Sequence, residues 1–251
     1  MLFSTQWSHP AASMAFSYDP QLAALVSNDA GSIETVVEIL QAIDALLDGS
    51  RDGLKWFNSI YLEVTLAVQK RVIAGDFDTP QGAQFIADLD FRFADFYFSA
   101  LRSWLAGAKP PACWRLLFQQ RSNGALARIQ FALAGINAHI NRDLAIAITK
   151  IGPPAHDTAE YRAYTALNFT LDSLIDEEKK ELMVTLAGDA LPGADRVEAA
   201  IASWSVAAAR ESAWVHAEIL SKIEDEPLLS ERLIDVLDGA ATLAGKALLT
   251  L

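Results

Sequence analysis

Apolar residues recur at three- and four-residue spacing along most of the chain after Asp19. That is the period of helices that each turn one face to a core. Between Ser32 and Leu47 the stripe is Ile33, Val36, Val37, Leu40, Ile43, Leu46 and Leu47, with Glu34, Glu38, Asp44 and Asp48 on the other face and Gly49 as the stop. A second helix is predicted over Leu54–Ala74, ended by Gly75. Asp78 and Thr79 ahead of Pro80 mark the start of a third. It is rich in Phe, Tyr and Trp and runs to about Ala106, before Gly107 and the Pro110-Pro111 pair. A short helix from Pro111 to Arg121 and a turn at Ser122-Asn123-Gly124 follow.

The stretch Ala127–Lys150, ARIQFALAGINAHINRDLAIAITK, abandons the two-faced pattern. It is apolar on nearly every side, which predicts the central, buried helix of a bundle. Beyond it, Ile151–Asp157 is a break, and Asp157-x-x-Glu160 has the form of a capping box opening a helix to about Ala187. Two more helices are expected, over Ala194–Ile223 and Pro227–Leu249. In the last, Gly239, Ala240, Ala241, Ala244 and Gly245 allow close approach of a neighbouring backbone. No segment alternates as strands do, and no repeat is present. The pattern therefore predicts an all-α fold: a single compact bundle of roughly eight helices over residues 19–251. Residues 1–18 are expected to form a partly ordered arm, held to the bundle by Phe3, Trp7 and Phe16.

Composition changes this picture in three ways. Hydrophobic residues make up 52% of the chain, yet only Ala132–Ile148 approaches the length of a membrane span. That run carries Asn137, His139, Asn141, Arg142 and Asp143, groups that are costly in lipid, so it reads as a core helix. The formal net charge of −12 argues against nucleic-acid phosphates and anionic membranes as partners. No Lys or Arg precedes Arg51, as a cationic leader would require. The single Cys113 excludes an internal disulfide and a multi-cysteine metal site, and reads as a packing residue. A cytoplasmic protein is expected.

Candidate chemistry concentrates on the central helix. His139 and Asp143 are four residues apart on one face, with Gly135 one turn earlier leaving room beside them. Asn137 and Asn141 form a second such pair on another stripe. On Leu54–Ala74, Asn58, Tyr61 and Thr65 share a stripe, and Asn168 and Asp172 lie on a later helix; these are candidates for a second wall. One reading is a buried hydrogen-bond network that only fixes helix packing. Another is a mostly apolar small-molecule pocket in which His139 acts as acid or base with Asp143 behind it, without a cofactor. A metal is a weaker third: His-x-x-x-Asp supplies two ligands, but no Glu-x-x-His pair accompanies it. No Gly-rich phosphate loop, Gly-x-Ser-x-Gly elbow or basic aromatic patch occurs. If the chain serves instead as an interaction protein, its small-residue C-terminal helix would pair with a second subunit as a homodimer.

Five stretches stand out, in order. Three are Trp56-Phe57-Asn58-x-x-Tyr61-Leu62-x-Val64-Thr65, Asp90-Phe91-x-Phe93-Ala94-x-x-Tyr97-Phe98-x-Ala100-Leu101 and Trp114-Arg115-x-x-Phe118. The most specific is Leu133-Ala134-Gly135-Ile136-Asn137-Ala138-His139-Ile140-Asn141-x-Asp143-Leu144, and Ala209-Arg210-x-x-Ala213-Trp214 is fainter. Together they resemble a bacterial family known as domain of unknown function 5995. Asp95 stands where the family pattern has an amide. The resemblance implies a similar fold and polar cluster and brings no activity with it.

Overall fold

A computed structural model describes residues 16–188 and 205–250. Most of the expected arm, including Phe3 and Trp7, lies outside the described residues. Its last part does touch the bundle: Phe16 stacks on Tyr18 and lies under the Arg121 guanidinium, 4.9 Å from its ring centre.

The chain is all-α. In order come α1 (Asp19–Leu25), α2 (Ile33–Leu46), α3 (Leu54–Ala74), α4 (Pro80–Leu105), α5 (Ala112–Gln119), α6 (Arg128–Ala138), a π-helical turn (His139–Leu144), α7 (Ala145–Ile151), α8 (Ala159–Gly188), α9 (Val206–Lys222) and α10 (Pro227–Thr250). The Ser32 and Thr79 hydroxyls cap α2 and α4, accepting from the amides of Thr35 and Gly82. Gly75 ends α3 in the left-handed region, at φ +70°.

Three local expectations shift. The cap of α8 is Thr158, whose Oγ1 accepts the Tyr161 amide, so the Asp157-x-x-Glu160 box does not form. The helix expected from Ala194 begins, among described residues, at Val206, where Ser205 is extended and caps Ala208. The central helix is also not a plain α-helix: α6 and α7 are joined without a break through the π turn.

That composite helix is the middle of the bundle. Every residue from Ile129 to Ile140 and from Asp143 to Ile148 is buried. α3, α5, α8 and α10 pack around α6, while α9, α10 and α4 pack around the π turn. α3 and α6 approach closely at Gly135, where a Cβ would lie 2.4 Å from the Phe57 ring. The space beside Gly135 is thus filled by Phe57 and is not room for a ligand. α10 approaches α6 through Ala241 and Gly245, the small residues of the C-terminal pattern, so this close packing is made within the chain.

Polar ties fix the elements. Asp52 is buried, accepts from the Leu54 amide and pairs with Arg121, which also reaches Asp19. Asp238 on α10 accepts the amides of Ala112 and Cys113 at the start of α5. These bonds hold its carboxyl below the usual carboxylate range against the opposing effect of burial. Asp95 accepts the Ala30 amide at 2.7 Å, a task an amide oxygen performs equally. Cys113 is buried, and desolvation pushes its thiol up, as befits a packing residue. Among the described residues, no helix is long and apolar enough to cross a membrane.

Candidate functional site

His139 opens the π turn, a local widening of the helix that recurs at functional sites. Its ring is held on several sides. Phe93 of α4 stacks face to face at 3.4 Å, and Tyr61 of α3 meets it edge-on at 4.7 Å. Nδ1 lies 3.2 Å from Asp143 Oδ2. The same oxygen accepts the Trp114 indole N–H at 2.8 Å, and Oδ1 accepts from the Arg142 guanidinium. A carboxylate with these donors around it can only accept, so Nδ1 carries the imidazole hydrogen. Nε2 is then left with a free lone pair. Burial lowers the imidazole pKa, opposed by Asp143, so the ring is neutral near pH 7.

Nε2 of His139 is buried and has no hydrogen-bond partner, and so are Tyr61 Oη and Asp90 Oδ2. All three residues line one cavity of about 70 Å³. The rest of its wall is mainly aliphatic, from Ile60, Val64, Ile86, Leu89, Leu167 and Leu171 among others. Five such orphaned side-chain atoms occur among the described residues, and three are on this wall. Buried polar atoms are ordinarily paired, so their convergence is the feature that needs a reason. With nothing to offset its desolvation, the Asp90 carboxyl is pushed up to about 7. Desolvation also raises the Tyr61 phenol well above its ordinary value. At neutral pH the wall therefore offers a phenolic donor, an imidazole acceptor and a carboxyl that holds its proton to far higher pH than an ordinary one.

Arg210, from the first turns of α9, completes the wall. It is 5% exposed. Its Nε donates to Asn168 Oδ1 at 2.8 Å and its Nη2 to the Tyr164 carbonyl at 3.0 Å, and its guanidinium lies 4.0 Å over the Tyr164 ring. No carboxylate among the described residues reaches ion-pair distance from it; half-buried Asp172 acts only at longer range.

The residues expected from sequence separate into groups. His139 and Tyr61 line the cavity, and Asp143 stands behind His139. Asn168 reaches the site only by holding Arg210. Asn137 and Asn141 do not form a floor with them: Asn141 donates to Asn137, which donates to the Ala241 carbonyl of α10 at 2.7 Å. Asn58 donates to the Leu40 carbonyl and ties α3 to α2. Thr65 spends its hydroxyl on the Tyr61 carbonyl. These four are satisfied inside the fold. Sequence reasoning missed Asp90, Phe93 and Arg210 as site residues. His156, in the break ahead of α8, pairs with Glu218 at 2.9 Å, and His216 is half-buried beside Ser212. Among the described residues, no cluster of three or more His, Cys, Asp or Glu is arranged to hold a metal.

The sequence matches the model of a family of unknown function (DUF5995) over residues 33–251, and the chain belongs to that family. No curated protein and no solved structure matches it.

Proposed function

Since membership of this family supplies no activity, we propose from the site alone that the protein binds a small, largely apolar organic molecule in the cavity between α3, α4, α6, α8 and α9. We further propose acid–base chemistry on it without a cofactor, with His139 Nε2 as the group that takes or gives the proton. Asp143 fixes the Nδ1–H tautomer and favours the imidazolium when it forms. The single observation behind this reading is the meeting of three unpaired, buried polar atoms on one apolar cavity wall. Each costs stability while unpaired, about 1–3 kcal/mol, and a ligand with a hydroxyl or carbonyl would satisfy them. The cavity has about half the roughly 150 Å³ that accommodates benzene, which suits a group of a few carbons. A lone buried cysteine fits a reducing cytoplasm.

The test is calorimetry with small alcohols and ketones on the parent protein and on Val64→Phe, which fills the cavity. Binding to the parent and its loss in the variant are expected, with a matching rise in melting temperature only for the parent. Bound ketones are then followed by proton NMR in heavy water. Exchange of the hydrogens next to the carbonyl that disappears in His139→Phe supports the acid–base role. Absence of binding across the panel overturns the reading.

A second reading rests on a different observation. The outward face of α10 exposes Leu228, Val236 and Leu243, each more than 60% accessible. That face supports an interaction role, homodimer formation included, and it is independent of the cavity.

A further inference from the structure

We infer that the ligand of this cavity is a small apolar carboxylic acid, whose carboxylate is held by Arg210. This inference rests on the ligand-binding reading above and narrows it. A guanidinium offers five N–H donors. Two of Arg210's are used, both on neutral oxygens, of Asn168 and the Tyr164 backbone. The remaining three have no partner among the described residues. A cation taken out of water needs a paired anion, and removing or withholding one is costly. The described residues do not supply that anion: none places a carboxylate within 4.0 Å of Arg210. Asp90, the acid on the same cavity wall, does not serve. It makes no ion pair with Arg210, and the carboxylate that does act on Arg210, Asp172, does so only at longer range.

The neutral partners of Arg210 do something specific. Asn168 and the Tyr164 carbonyl hold one edge of the fork, and the Tyr164 ring covers one face. The Tyr164 hydroxyl in turn donates to the Arg210 carbonyl at 2.7 Å, locking the helix that carries it. A guanidinium immobilised in this way is pre-organised for a bidentate carboxylate. Leu167, Leu171 and Val206, from the same two helices, provide the adjoining apolar wall for the acid's hydrocarbon part. His139, Tyr61 and Asp90 line the same cavity and would meet polar atoms elsewhere on the same molecule.

The experiment is isothermal titration of the full chain with sodium propanoate, pentanoate and heptanoate, each beside the alcohol and the primary amide of equal length. In the parent, each carboxylate should bind at least tenfold tighter than its amide, the scale of a hydrogen bond to a charged group. Affinity should climb about fourfold per added methylene until the cavity is full. Arg210→Gln should bring acid and amide to within about twofold, and Arg210→Lys should keep part of the preference. If acid, alcohol and amide bind the parent equally, the carboxylate assignment fails while the ligand-binding reading stands. If the acid preference survives in Arg210→Gln, the anion site is elsewhere and the inference is overturned. If nothing binds the parent, both readings fail. Should Arg210→Gln not fold, the ranking of head groups on the parent decides the matter by itself.

Discussion

Replacing Asp143 and His139 separates the two roles that a buried polar pair can have. Asp143 is 0% exposed and accepts from Trp114, His139 and Arg142. Asp143→Ala strands the indole and imidazole N–H groups, at about 1–3 kcal/mol each. It also removes the nearest carboxylate from Arg142, leaving Asp238 at 3.8 Å. The sum falls in the range of about 3–5 kcal/mol for breaking a buried charged pair. At about 2–4 °C per kcal/mol for a chain of this size, the melting temperature should fall by roughly 10 °C. His139→Phe is different. It loses one bond to a charged acceptor, about 1.5–3 kcal/mol, and removes an orphaned Nε2 that costs about 1–3 kcal/mol. The new ring keeps the stack on Phe93, now 3.4 Å from the imidazole. The two effects nearly cancel, so stability should change by less than about 1 kcal/mol. Urea titrations followed by circular dichroism, with unchanged slope, give both numbers. A loss of 3 kcal/mol or more in His139→Phe would refute the reasoning, because Nε2 would then have a partner that stabilises the fold.

Two further outcomes follow from the same geometry. Asp90→Asn should alter the pH dependence of stability: the folded carboxyl holds its proton up to about 7, against an ordinary 3.8, so the parent loses stability as pH rises through that window. At about 1.4 kcal/mol per pH unit the loss approaches 4 kcal/mol by pH 8. The variant should show a flatter profile and be the more stable protein at pH 8 but not at pH 4, by thermal melts across that range; parallel profiles would show that Asp90 ionises freely. Gly135→Ala should destabilise by about 1–3 kcal/mol, because its Cβ would meet the Phe57 ring at 2.4 Å; a melting temperature equal to the parent's would show that Phe57 moves aside freely.

The helices were legible because their signals are local. Ser32, Thr79-Pro80 and Gly75 end or begin elements by chemistry contained in a few residues. The buried centre was legible because Ile129–Ile140 carries no Asp, Glu, Lys or Arg and is apolar except at Gln130, Asn137 and His139. Which polar groups converge was less so, since convergence is a property of three or four helices at once. Part of the missing signal was nonetheless present. Asp90 falls on the stripe Ile86, Leu89, Phe93 and Tyr97, and Arg210 on the stripe Val206, Ala213, Trp214 and Ala217. A charge inside a core stripe marks a wall residue as clearly as the polar group on the central helix did. The split of Asn137 and Asn141 from His139 and Asp143 required knowing that α10 packs on one side of α6 and α4 on the other side of the π turn. No single-helix pattern contains that.

The distribution of satisfied and unsatisfied groups argues for a site more strongly than any one residue does. This fold pairs its buried polar atoms with care where they only hold helices together. Asn58, Asn137, Gln130 and Asp52 all reach backbone groups or charged partners. A general tolerance for unpaired groups would scatter them through the core. Instead three of the five unpaired atoms among the described residues, on Tyr61, Asp90 and His139, lie around the same cavity, with Arg142 Nε and Trp214 Nε1 elsewhere, and a partly bonded Arg210 joins the three on its wall. A protein that keeps them concentrates a standing cost around one cavity, and a bound molecule that met the imidazole, the phenol, the carboxyl and the guanidinium together would offset it.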